Sequence, residues 1–284
     1  ILAYAEQGKA QLDVLDLGSA QTIALSKKGA LAKIDYGKFK LSDPNDVPAT
    51  VRKDDMIGSI YFSTVLGYRT ETFPHGSEPK SWSEFWDLQK FPQPRMWEDL
   101  KAGAGVLEFA LIADGVPAKA DKLYPIDVDR ALKSLSHIRP KIVKFWDTGA
   151  LSAELIERKE ALMGSIWNGR IQVPIDKGAP MGIQWNQNMR LTQYWSIPKA
   201  APHPENGRKL IDFALQPKVQ AALTKYIAYG PTNKKAQQYV EPKAADTLPT
   251  KAEHFDAGFD ENAEWWANNL KMVTEKWQAW QLQG

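Results

Sequence analysis

The sequence predicts an α/β protein of two lobes. Three observations carry that expectation. Strand-like and helical patterns alternate along the whole chain, no Pro-rich or Gly-Ser-rich hinge interrupts them, and 284 residues at 43% hydrophobic content suffice for two lobes of ordinary size. With no linker available, the chain must cross between lobes through its strands.

The segment Leu12 to Leu17 alternates apolar and polar residues like a strand, breaks at Gly18-Ser19, and continues as a helix from Ala20 to Lys28. Ser19 is the expected N-cap, and Gly29 the glycine that releases the chain. A second strand is expected over Ile57 to Leu66, rich in β-prone side chains and closed by Gly67. Ser81-Trp82-Ser83-Glu84 fits a capping box for a short helix ending before Pro92. Val106 to Ala113 reads as a helix stopped at Asp114-Gly115-Val116-Pro117. Asp127 should cap another, whose Ala131, Leu132, Leu135 and Ile138 form one stripe before Pro140. Phe145 to Gly149 leads into a helix through Leu155 and Ile156; Met163 to Trp167 is a strand, with Asn168-Gly169 turning after it. Helices are expected again from Asn206, broken at Pro217 and resuming over Val219 to Tyr226. The final helix, Glu261 to Gln281, spaces Trp266, Leu270, Val273, Trp277 and Trp280 by fours and threes, the signature of a packing face.

Charge excludes several partners. The 36 basic and 34 acidic residues interleave and leave a net charge of +2, with Lys27-Lys28 and Lys234-Lys235 as the densest basic spots. Two adjacent lysines are solvated surface rather than a nucleic-acid footprint. The absence of cysteine excludes disulfides, thiolate metal sites and cysteine nucleophiles, and is compatible with an oxidising compartment. No apolar run approaches the roughly 20 residues that span a bilayer. Ile1 to Ala5 has no signal-peptide pattern and resembles the middle of a helix, so an N-terminal segment is expected to be missing.

Reactive constellations are not apparent. His75, His137, His203 and His254 lie far apart and none has metal-ligand spacing. Gly103-Ala104-Gly105 is a G-x-G without its third glycine, and Glu98-Asp99, read as helix neighbours, would point apart. What stands out is aromatic content: eleven tryptophans and nine tyrosines. Most are expected in cores, with three or four gripping a small solute in a cleft, since flat rings with a polar edge suit that task.

Leu12 to Leu17 with Gly18-Ser19, then Gly29 to Asp35, Ser81 to Asp87, Ile166-Trp167-Asn168-Gly169, Ser196-Ile197-Pro198 and Tyr229 to Asn233 occur in that order. Together they resemble the extracellular solute-binding proteins of ABC importers, in particular the spermidine/putrescine-binding branch. The resemblance implies a periplasmic-binding-protein type II fold: two α/β lobes joined by crossing strands, with a ligand cleft between them. It implies a periplasmic monomer that captures a small molecule for a permease and an ATPase, with no cofactor, no metal, no catalysis, no nucleic acid and no membrane insertion. It places residues 1–66 and 195–247 in the first lobe, from which one βαβ unit is missing, and 67–194 in the second; residues 248–284 form a tail and helix against the first lobe.

The resemblance also implies site residues. Trp167 matches the family's cleft tryptophan and Tyr229 its late cleft tyrosine, while Gly18, Ser19, Ala20, Gln21 and Tyr61 fall around the first-lobe positions. Where polyamine binders carry carboxylates, this chain has Ala102, Gly105 and Gln193. A cation buried without its counter-charge costs several kcal/mol, more than cation–π contacts at roughly 0.5 to 2 kcal/mol return. Small turns at helix starts favour an anion, and Gly18-Ser19 and Thr148-Gly149 are two such turns. Arg170, after Asn168 and Gly169, can grip a carboxylate through parallel hydrogen bonds or serve as a surface salt bridge. A small carboxylate or zwitterion is therefore the expected ligand. Polyamine uptake is the alternative, and a ligand sensor or an enzyme on the same fold are rivals of other classes.

Overall fold

The structure, a computed structural model, describes residues 10–74, 76–103 and 106–283. The Ile1–Ala5 segment, His75, and Ala104 and Gly105 of the G-x-G motif lie outside the described residues. Among those described there are eight strands: β1 (Leu15–Gly18), β2 (Met56–Arg69), β3 (Arg95–Glu98), β4 (Ile142–Trp146), β5 (Met163–Trp167), β6 (Met181–Ser196), β7 (Gly230–Pro231) and β8 (Gly258–Asp260). The chain forms two units, Ile1–Phe62 with Leu191–Lys251 and Ser63–Arg190 with Ala252–Gly284. The chain passes between the units three times: twice inside strands, β2 and β6, and once at Lys251/Ala252, where the helix Ala252–Asp256 begins. The breaks fall at Phe62/Ser63 and Arg190/Leu191, a few residues before the expected Leu66/Gly67 and Tyr194/Trp195.

In the first unit β1 lies antiparallel to the end of β6, Leu15 opposite Ser196 and Gly18 opposite Gln193, and β7 pairs with the start of β2. The helix Ser19–Lys27 follows β1 without a loop. Its N-cap is Gly18, with no side-chain cap, so the expected Ser19 cap is corrected: Ser19 is buried as the first helical residue, and the Thr22 hydroxyl donates back to the Gly18 carbonyl at 3.0 Å. Gly29 takes φ +63°, the left-handed conformation that closes the helix. Leu15, Leu25, Ile34, Ile57, Tyr194, Ile197, Ile211 and Leu215 fill the core, each large aliphatic side chain contributing about 1.5 to 3 kcal/mol. Asp212 ties the 40–42 loop to the helix Pro204–Ala214, accepting from the amides of Lys40, Leu41 and Ser42 and from the Ser42 hydroxyl.

The second unit is built on parallel pairs, β3 with β4 and β3 with β5; β5 runs antiparallel to β2, and β8 lies parallel to β6. Close approach of β5 to β3 requires glycine at Gly164, where a Cβ would stand 2.5 Å from the Met96 carbonyl. The capping box forms with a shift. Ser81 Oγ accepts from the Glu84 amide at 3.2 Å, and the Glu84 carboxylate reaches the Lys80 amide at 2.7 Å rather than that of Ser81. Asp127 accepts from the Arg130 amide at 3.0 Å, and the stripe of the helix Val128–Ile138 is buried as expected. Trp82 stacks on Phe109 at 4.0 Å and stands edge-on to Trp97, so much of the aromatic surplus is core.

Five strands, β3, β4, β6, β7 and β8, arise where none is predicted, and Asn168-Gly169 opens the helix Asn168–Asp176 instead of turning the chain. The terminal helix Ala263–Leu282 belongs to the second unit, where the sequence places it against the first lobe. Its tryptophans find their partners there: Trp266 Nε1 donates to Glu108 at 2.7 Å, Trp280 Nε1 to the Ser136 hydroxyl at 2.8 Å, and Phe145 stands edge-on to Trp277 and Trp280. Arg139 caps the helix, donating to the carbonyls of Trp280 and Gln281, each at 2.6 Å.

Candidate functional site

The candidates fall into two sets, one in each unit. In the first, Gly18, Ser19, Ala20 and Gln21 form the strand-to-helix junction, and the β1–β6 register sets Gln193 directly across from Gly18. A helix start presents amides without intrahelical acceptors. Tyr61 lies opposite Gly230, which brings it beside Tyr229; the Tyr229 ring is buried and tilted on Phe62 at 5.6 Å. Tyr229 also lines a cavity of about 480 Å³ together with Asp16, Ser59, Trp195, Gln220 and Tyr226. Desolvation by this mainly apolar lining pushes the Asp16 carboxyl up to about 6, against a 2.7 Å hydrogen bond from the Ser59 hydroxyl.

In the second unit, Thr148, Gly149, Trp167 and Arg170 converge. Thr148 caps the helix Gly149–Glu157, its hydroxyl accepting from the Leu151 amide at 3.3 Å. Gly149 is glycine because the space above it is taken: a Cβ there would stand 2.8 Å from both Trp167 Cε3 and Arg170 Nε. The indole and the guanidinium thus share one small platform at a helix start. Trp167 ends β5 half-buried, edge-on to Trp146 at 5.4 Å, whereas Arg170 is exposed. Among the described residues Arg170 has no carboxylate partner, so its reading as a surface salt bridge finds no acid. Asn168 is fully buried and accepts from the Ser63 amide at 2.9 Å; its observed task is to tie the start of its helix to β2. Ala102 closes a short turn after β3, and Gly105 lies outside the described residues.

Sequence reasoning missed the acids of this unit. Glu98 and Asp99 are not helix neighbours: Glu98 ends β3, fully buried, and Asp99 caps the next turn by accepting from the Lys101 amide. Burial holds the Glu98 carboxyl well above the usual carboxylate range; the Trp167 indole N–H opposes this, and Glu261 and Glu108 reinforce it. Glu108, also fully buried, is pushed up to about 7 by burial although Tyr124 and Trp266 donate to it. The available signal was β-prone Met96-Trp97 before Glu98, which favours a strand end. Among the described residues no group of three or more His, Asp or Glu side chains could hold a metal ion, and no helix is long and apolar enough to cross a membrane.

Comparison with known proteins places these features in a family. Residues 1–250 match the family model described as bacterial extracellular solute-binding protein. The spermidine/putrescine-binding periplasmic protein of Escherichia coli is 25% identical over 253 residues, which cover 85% of this chain and 68% of that protein. Among solved structures, the Agrobacterium binding protein AgtB in complex with agropinic acid is 32% identical with a TM-score of 0.86, covering 98% of this chain and 84% of that one. The Atu4243 GABA receptor is 32% identical with a TM-score of 0.87, covering 99% and 84%. These relatives are binding proteins, and the mixed α/β architecture is that of periplasmic binding proteins. The chain belongs to the bacterial extracellular solute-binding proteins.

Proposed function

We propose that this protein is the periplasmic, monomeric receptor of an ABC importer, capturing a small carboxylate or zwitterion and passing it unaltered to a permease and an ATPase. The candidate residues for capture are Gly18, Ser19, Ala20, Gln21, Tyr61, Gln193 and Tyr229 in the first unit, and Thr148, Gly149, Trp167, Asn168 and Arg170 in the second. The observation that carries the ligand class is the platform over Gly149, where Arg170 stands beside Trp167 with no acid partner among the described residues. A bidentate arginine recognises a carboxylate, and the neighbouring ring covers an apolar stem. A relative in complex with agropinic acid and another named a GABA receptor point the same way. A polyamine is the second reading, favoured by the names of the curated relatives.

Isothermal titration with agropinic acid, GABA, putrescine and spermidine decides between them. An acid or zwitterion binds, and Arg170→Ala weakens it roughly 30- to 150-fold, the worth of a charged hydrogen-bond pair at about 2 to 3 kcal/mol. Micromolar putrescine binding with no response to either acid would overturn the assignment.

A further inference from the structure

Glu98 is a buried carboxyl with a position that its chemistry alone does not explain. Its side chain has no exposed surface, and the groups acting most strongly on its charge are Trp167, Glu261, Glu108 and Thr64, none of them a cation. A buried acid of this kind is costly unless it has a structural partner. Geometry sets that partner beside it. The β2–β5 register places Thr64 directly opposite Trp167, and the Thr64 hydroxyl lies 3.5 Å from Glu98 Oε2. From the β3 side, the Glu98 amide donates at 2.9 Å to the hydroxyl of Ser165, two positions before Trp167. The Ser165 carbonyl in turn accepts from Trp146 Nε1 at 2.9 Å, and Trp146 stands perpendicular to Trp167 at 89°. The Trp167 ring is therefore bounded by Trp146 and by Gly149 with Arg170, and its indole is one of the groups that act on the Glu98 carboxyl.

We propose that Glu98 is a positioning residue for the binding site, its buried carboxyl accepting the Trp167 indole N–H and fixing the ring against which the ligand rests. An uncharged carboxylic acid does this without a counter-ion, and its surroundings favour that form: burial disfavours the carboxylate, and Glu261 and Glu108 disfavour it further. Glutamine reproduces such a neutral acceptor; leucine keeps the volume and removes it. The inference rests on Trp167 serving the ligand, but its contact is testable without one.

The experiment is the indole region of the proton–nitrogen correlation spectrum of the ligand-free protein, with Trp167 identified by the cross-peak lost in Trp167→Phe. In Glu98→Gln the Trp167 cross-peak stays near its wild-type position and GABA affinity stays within about threefold. In Glu98→Leu the cross-peak moves upfield, its exchange with solvent accelerates, and GABA affinity falls roughly tenfold, the worth of one buried hydrogen bond. A Trp167 cross-peak indifferent to Glu98→Leu overturns the proposal. If Glu98→Leu does not fold, the contact is read from the other side. Trp167→Phe then shifts the side-chain carboxyl carbon of Glu98, itself identified by its loss in Glu98→Gln, and an unmoved resonance overturns the proposal equally. Should GABA not bind at all, the ligand class is what fails, while the spectra still decide the role of Glu98.

Discussion

Replacing Glu108 with glutamine removes a proton-binding group from the interior of the second unit while keeping a carbonyl oxygen where Tyr124 and Trp266 donate. The wild-type carboxyl is raised from 4.5 to about 7 by burial. The native state therefore holds this proton more tightly than the unfolded chain does. Below pH 4.5 both states are protonated and the group contributes its full share; as pH rises the unfolded state ionises first, and stability falls until the folded group ionises near pH 7. At 1.36 kcal/mol per unit, the loss across that window is about 3 kcal/mol. Urea unfolding, followed by tryptophan fluorescence at a series of pH values from 4 to 8, measures it as the difference between wild type and Glu108→Gln, in which the other titrating groups largely cancel. Wild type is expected to lose about 3 kcal/mol more than the variant between pH 4.5 and 7, with a flat difference on either side. Parallel stability curves would refute the reasoning, since they would mean that Glu108 binds its proton equally in both states.

Two further perturbations follow from the geometry. Gly149→Ala drives a Cβ to within 2.8 Å of Trp167 and Arg170; displacing them at about 1 to 2 kcal/mol should weaken ligand binding at least fivefold by calorimetry while the circular-dichroism melt shifts by only a few degrees. Asp212→Ala leaves the amides of Lys40, Leu41 and Ser42 without their acceptor and should lower the stability of the first unit by about 2 to 3 kcal/mol in urea unfolding, with Asp212→Asn losing less.

Local chemistry written in consecutive residues was legible without coordinates. The Asp127 cap with its buried stripe, the Gly29 helix end and the β5 strand depend on side chains within a turn or two of each other, and all three formed. Thr148, Gly149, Trp167 and Arg170 were each legible as residues where a strand meets a helix, but that Trp167 and Arg170 close over Gly149 is a product of the fold. What remained hidden depends on partners distant in sequence. β6 carries Gln184, Asn186, Gln187 and Asn188 in its middle, with φ +62° at Gln187; those side chains look like loop until Ser63 donates to Asn188 and Trp82 to Gln187. The terminal helix displays its tryptophan face in the sequence, but only Glu108, Ser136 and Arg139 decide which unit it joins. Glu98 is an ordinary acid in the chain and becomes a buried one because β3 pairs with β4 and β5 around it. Burial and strand pairing are properties of what the fold brings from elsewhere, so tertiary structure alone could turn that glutamate into a support for Trp167.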